Sequence, residues 1–535
     1  MIDGGAVRAN TGGKGNAGKI EIKASDTISV TGEAQDGIPS SISSQVNEGG
    51  EGNSDGINLT TTNLSLTKGG IITASTFGKG DSGAIVINAS DTIFIEGETQ
   101  AGISSRINSA IGKDGAGDSN GIDITTANLT LTQGGNVNAN TSGQGNAGKV
   151  KINASNTILA EGESQSGISS EISSQVNSTG VGNSDGIDII TTNLLLRKGG
   201  AVNSSSFEQG NAGKIMIDAS GTIFAEGESR TGNDTSGIAS LVEKSGVGGA
   251  GAITINTNDL FLADKAGISV QSLGQGNAAN LIIRANSLTL EGGAFLVSST
   301  PLREGGNISL KIANNLSLSQ SSTISAQAFR DADGGNLFID AKFITATPNQ
   351  NNDLIASAEQ GRGGNINIVS AGVFGLEERS SNSPNNTNDI DASSELGIDG
   401  SVNVNTTVDF LNSFELAIPK FVVAEKALQG SCFARRNSQQ GSFVYSGTGG
   451  LPASPDLSID EEPSLSSGLP ETRPNSQTSN SSDADSAETT SHSAPVPQKW
   501  QVGDPIVEPT NLVKTADGRS LWVNQKASRD SLICQ

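Results

Sequence analysis

Acidic side chains recur along this chain at spacings that could support general acid–base chemistry. Glu96 and Glu98, Glu161 and Glu163, and Glu226 and Glu228 form three pairs 65 residues apart, and Asp123 and Asp188 share that interval, with Asn58 in the equivalent place one block earlier. Glycoside cleavage needs two carboxylates roughly 5 to 9 Å apart across one bond, and a lyase would add a Lys or Arg as base. An active site is unique, whereas these acids repeat. Repetition fits solvated outward positions that keep a surface soluble and discourage lateral aggregation. The least repetitive stretch, residues 301–399, carries Arg303-Glu304, Arg330-Asp331 and Glu377-Glu378-Arg379, which read as scattered at corners.

Other chemistries have fewer residues to work with. His492 is the single histidine and lies in a low-complexity segment, which leaves a Ser-His-Asp or Cys-His arrangement without a placed base. No paired Cys-x-x-Cys occurs, so neither a metal site nor a cofactor is expected. The glycine-rich stretches Asp114-Gly115-Ala116-Gly117-Asp118, Asn53-Ser54-Asp55-Gly56 and Asn183-Ser184-Asp185-Gly186 could wrap calcium. The strict nonapeptide of calcium-binding β-rolls is missing, and tight turns prefer the same residues. Cys432 and Cys534 could form one disulfide in an oxidising compartment or remain two free thiols.

The elements that must position these residues follow from the repeat. Gly13-Lys14-Gly15-Asn16-Ala17-Gly18-Lys19-Ile20 has counterparts starting at Gly78, Gly143, Glu208 and Gly274, and a Gly-x-Ile-x-Ile phrase recurs at alternating intervals of 38 and 27 residues. After Gly251 the phrase loosens through Ala279, Gly306, Gly335, Gly364 and Gly400, giving 13 starts. Each turn contains three short apolar/polar alternations, as in Ile57-Asn58-Leu59, Asn63-Leu64-Ser65-Leu66 and Ile71-Ile72-Thr73-Ala74, the last after a Gly69-Gly70 corner. Period two predicts strands with one face inward. Three strands per turn, repeated beside themselves, predict an all-β, right-handed parallel β-helix of about 13 rungs, roughly 60 Å long at about 4.8 Å per rung.

Several columns should then stack: Ala24, Ala89, Ala154 and Ala219, each followed by Ser and then Thr, and Asn63, Asn128 and Asn193, with Asp259 fourth. The amides are expected to form a structural ladder. The longer rungs carry extra residues, read at 43–55 and 173–185, as a row of loops along one side.

The division expected is repeats over 1–414, a capping segment at 415–452, a disordered Ser/Pro/acidic linker at 453–498 and a short terminal segment at 499–535. A formal charge of −23 without a basic cluster argues against nucleic acid as a partner. No run of 18 apolar residues exists, so no membrane-spanning helix is expected. Met1 falls inside the repeat, because residues 4–11 match 69–76, and residues 1–20 do not read as a positively charged, apolar signal peptide. The chain therefore reads as the C-terminal piece of a longer exported protein.

Over about residues 1–414 the rungs resemble those of filamentous-haemagglutinin-type exoproteins of two-partner secretion. The segment Cys432-Phe433-Ala434-Arg435, with Gly441-Ser442-Phe443-Val444-Tyr445-Ser446-Gly447-Thr448-Gly449-Gly450-Leu451-Pro452, is similar to the C-terminal signature of large cyanobacterial exoproteins of this type. Trp500, Ile506-Val507-Glu508 and Ala516-Asp517-Gly518-Arg519 would supply their final segment. The resemblance implies export through a partner outer-membrane β-barrel transporter and a place outside the cell or on its outer surface, as an adhesin or surface structure meeting a glycan or cell-surface receptor. That family's N-terminal secretion domain is absent from this sequence. The competing reading is a β-helix polysaccharide lyase or hydrolase.

Overall fold

The computed structural model describes residues 1–301, 305–381 and 385–406, together with the backbone of two short strands, Asn511–Lys514 and Ser520–Val523, which pair antiparallel. Two units are distinguished, Met1–Ser413 and Phe414–Gln535. Cys432, Cys534, His492, Arg303 and Glu304 lie outside the described residues, as do nearly all of the expected cap, linker and terminal segment.

The described part of the first unit is all β, a parallel β-helix. Long strands such as Ile57–Thr67, Ile85–Glu96 and Ile122–Thr132 follow one another in a 15-stranded parallel sheet whose hydrogen-bonded path passes through 13 strands, from Ile20–Lys23 to Ser401–Thr406. Short strands such as Ser41–Ser43, Ile71–Thr73 and Arg106–Asn108 build a second, 14-stranded sheet.

The expected three strands per turn become two. The first two alternations fuse into one long strand with a register shift, between Thr61 and Asn63 in one rung, so the strand bends and keeps pairing on both sides. The third wall is a row of single bridges, with Thr76 between Val46 and Ile111, and Lys79 between Glu51 and Ala116. Corners that must open and close a ladder within a few residues leave no room for a third strand.

Inside, aliphatic columns fill the tube. Ile42, Ile72, Ile107, Val137, Ile172 and Val202 stack from the short-strand sheet, facing Ile57, Leu59, Leu64 and Leu66 and their counterparts, all buried. The narrow bore explains why so few aromatic residues suffice.

The corner after each shorter rung's long strand turns on Lys68-Gly69, both with positive φ (50° and 86°). Gly70 is needed for a different reason: a Cβ there would stand 2.0 Å from the Val30 carbonyl oxygen of the rung before. The extra residues of the longer rungs lie mainly in this corner and not at 43–55. Residues 32–40 separate Thr27–Thr31 from Ser41–Ser43, where residues 68–70 suffice between Ile57–Thr67 and Ile71–Thr73. Sequence alignment of the rungs misplaced them because the glycine phrase marks the rung's start and not its corners.

Candidate functional site

The repeated carboxylates sit at these lateral loops. Each loop is a small antiparallel hairpin closed by one bridge: Glu33 to Pro39, Glu98 to Ser104, Glu163 to Ser169 and Glu228 to Thr235. Because only alternate rungs carry a loop, neighbouring loops are two rungs apart, about 9.6 Å at the usual strand spacing. The loop glutamates nonetheless reach the backbone of the next loop.

Glu33 accepts from the backbone N–H of Gln100 at 2.9 Å. Glu98 accepts from the backbone N–H of Ser166 at 2.9 Å and from its hydroxyl. Glu163 accepts from the backbone N–H of Thr231 at 3.1 Å and its hydroxyl at 2.9 Å, and pairs with Arg230 at 3.0 Å, its side chain only 2% exposed. Glu228, with no loop two rungs further on, turns instead to Lys265 of the next rung at 2.7 Å. Burial alone would raise the Glu98 pKa, but hydrogen bonds from Ser166 and Ser164 outweigh it and hold the group below the ordinary range.

The other member of each pair reaches one rung. Glu96 accepts from Gln133 at 3.0 Å and Glu161 pairs with Lys198 at 2.7 Å, while Glu226 stands 3.7 Å from Arg197 of the rung before. The two glutamates of a pair therefore serve different neighbours, although Glu96 and Glu98 line one cavity of about 360 Å³ together with Lys68 and Gln133. Asp123 and Asp188 lie in the outward column of the long sheet with Lys151 between them, and Asp188 pairs with Lys149 at 2.7 Å.

The expected amide ladder takes a different form. Asn63 is opposite Thr92, and Thr92 is opposite Asn128, so identical residues 65 apart are separated by a full rung. Asn128 accepts instead from Asn156 at 2.9 Å, and Asn193 accepts from the backbone N–H of Thr222 at 3.1 Å. A continuous ladder runs at the corner before each glycine phrase. There the side-chain oxygen of Asn16 accepts from the N–H of Asn53 at 3.0 Å, Asn53 from Asp81 at 2.9 Å and Asp81 from Asp118 at 2.9 Å. It continues through Asn146, Asn183 and Asn211 to Gly249. Sequence reasoning missed it, although an Asn or Asp stands two or three residues before most of the glycine phrases.

The same ladder bears on calcium. Asn53, Asp118 and Asn183 of the glycine-rich stretches each commit a side-chain oxygen to the next rung's backbone. Among the described residues no group of three His, Cys, Asp or Glu is placed to hold a metal ion.

One acidic cluster does not repeat. Glu377-Glu378-Arg379 is not scattered at a corner: Glu377–Glu378 pairs with Asp389–Asp391 at the edge of the short-strand sheet. Arg379 Nε donates to Asp389 at 2.6 Å, and Asp353 accepts from the Asp389 N–H at 3.0 Å. Asp391 takes bonds from Ser381 and Ser393, both backbone and hydroxyl. Asp353, Asp389 and Asp391 are all buried. Burial, with the Asp389 and Asp391 charges, pushes Asp353 up to about 6 against its hydrogen bond, whereas the serine bonds overcome burial and hold Asp391 low. The buried carboxylates of this cluster already accept hydrogen bonds, while Arg379 and Glu377 stay open to solvent.

These features define a parallel β-helix whose recurring acids fasten one rung to another. No family profile, curated protein or solved structure matches the chain. No helix among the described residues is long and apolar enough to cross a membrane.

Proposed function

We propose that this chain is a non-catalytic β-helical rod working outside the cell, an adhesin or surface structural exoprotein exported by a partner outer-membrane β-barrel transporter. The observation that carries the non-catalytic part is the use of the recurring carboxylates: Glu33, Glu98 and Glu163 each reach a loop two rungs away, and Glu96 and Glu161 reach the next corner. An enzyme of this fold would need an unshared pair converging on an open groove. Export and adhesion rest on the resemblance of residues 1–414 and 432–452 to exoproteins of two-partner secretion. A long regular side that presents loops suits contact with a glycan or a cell-surface receptor.

The test is antibody labelling of intact producing cells, followed by adhesion of those cells to glycan-coated surfaces. Labelling without permeabilisation, with adhesion lost on deletion of the gene, is expected. Labelling only after lysis, or release of unsaturated or reducing sugars from polysaccharide by the purified chain, would replace this reading.

A further inference from the structure

Along the outer face of the short-strand sheet, beside the first lateral loop, runs a groove of about 230 Å³. Its floor comes from alternate residues of the short strands. Ile107 points into the core, so Arg106 and Asn108 point out, and Ser43 and Thr73 extend the same floor. Ile38 of the loop forms one wall and Phe77 the other, 46% and 37% exposed. The Phe77 ring is fixed from behind, since it packs where a Cβ on Gly112 would stand 2.3 Å from its Cδ1.

The polar groups here are left with spare bonding capacity. Arg106 is half-buried, and among the described residues no carboxylate or carbonyl accepts from its guanidinium. Burial draws its pKa below that of a free guanidinium. The nearest acid in its own column, Glu171, is two strands away beyond Asn136. Asn108 gives its amide N–H to Ser75 at 3.0 Å, while its buried Oδ1 has no partner. A partly desolvated cation and an unfilled acceptor cost stability unless something repays them.

Both also break the repeat. The block equivalents of Arg106 are Ser41 and Glu171, and those of Asn108 are Ser43 and Ser173, in a chain where structural residues usually recur every 65. Arg8, at the other end of the groove, has Thr73 as its equivalent.

We propose that this groove binds a short uronic-acid-bearing oligosaccharide, with the planar Arg106 fork on the sugar carboxylate and Phe77 under an apolar sugar face. A planar, bidentate donor matches a carboxylate. Against a formal charge of −23, a long polyanion would be repelled, so recognition is local and short. The inference rests on the surface-rod reading and names the chemistry that surface would meet.

The test is calorimetric titration of the full chain with tetragalacturonate, its methyl ester and a sulfated tetrasaccharide. Saturable binding of the acid, at least about tenfold weaker binding of the ester, and the same loss in Arg106→Gln are expected. Phe77→Ala should weaken binding several-fold, and it carries the test should Arg106→Gln fail to fold. Lys311→Gln, on the other sheet, should bind as the wild type does. Equal affinity for the ester, preference for the sulfated sugar, or wild-type affinity in both groove variants would overturn the proposal. None of these results touches the labelling of intact cells, so a failed groove and a failed surface rod are told apart.

Discussion

The first four blocks and the rungs after Ala279 solve the same stacking problem differently. In the blocks, long and short rungs alternate, identical residues lie two rungs apart, and glutamates bridge the gap to the next loop. From Ala279 to Gly364 the lateral loops vanish and turn lengths become similar, before residues 375–388 lengthen the last corner. Asn280, Asn307, Asn336 and Asn365 then fall directly above one another, the first three oxygens each accepting both backbone and amide N–H from the next, at 2.9 to 3.2 Å. The blocks carry a one-rung ladder too, from Asn16 to Gly249, so what their alternation adds is the two-rung reach of a glutamate on a loop.

Breaking the shared core should hurt most. Ile172→Ala empties a fully buried column position and should cost about 2–5 kcal/mol, read by denaturant unfolding. The glutamate clamp comes next. Glu163→Gln removes the charge from a nearly buried acceptor and should cost about 1.5–3 kcal/mol locally, seen as faster amide exchange at Thr231 while Asn336 and Asn365 keep their protection.

Acidity should separate the regions further. Glu171 is raised by burial to about 7 and Asp353 to about 6, so the folded chain holds more protons there than the unfolded one. Their stabilisation is complete below the ordinary carboxylate range and is lost as pH rises through those values. Glu171→Gln should flatten the proximal part of that loss and Asp353→Asn the distal part. Glu98 and Asp391, held low, act oppositely: their contribution is present at neutral pH and disappears as pH falls below the ordinary range. The smallest effect belongs to the corner ladder, where Asp118→Ala should cost about 1 kcal/mol and Asp118→Asn, which keeps the acceptor, much less.

Much of this was legible in the sequence, because period-two alternation and the glycine phrase are direct consequences of rung geometry. All 13 starts correspond to strands of the long sheet. What escaped was anything that depends on which rung touches which. The Asn63 column looked like a ladder because the 65-residue interval was read as adjacency, yet Thr92 lies between Asn63 and Asn128. Glu98 and Glu163 looked like solvated surface acids because their acceptor role needs the loop two rungs away. Arg379 looked isolated because Asp389, ten residues on, is brought beside it only by the pairing of Glu377–Glu378 with Asp389–Asp391. Arg106 could have been singled out by its failure to repeat.

We propose that the recurring glutamates fasten rungs and do no chemistry. Hydrogen exchange of the full chain, wild type against Glu163→Gln, tests it most directly. The expected result is accelerated exchange at Thr231, two rungs along, with the strand Ala201–Asn203 between them unchanged. Unchanged exchange at Thr231, together with a polysaccharide-degrading activity that Glu163→Gln abolishes, would contradict it.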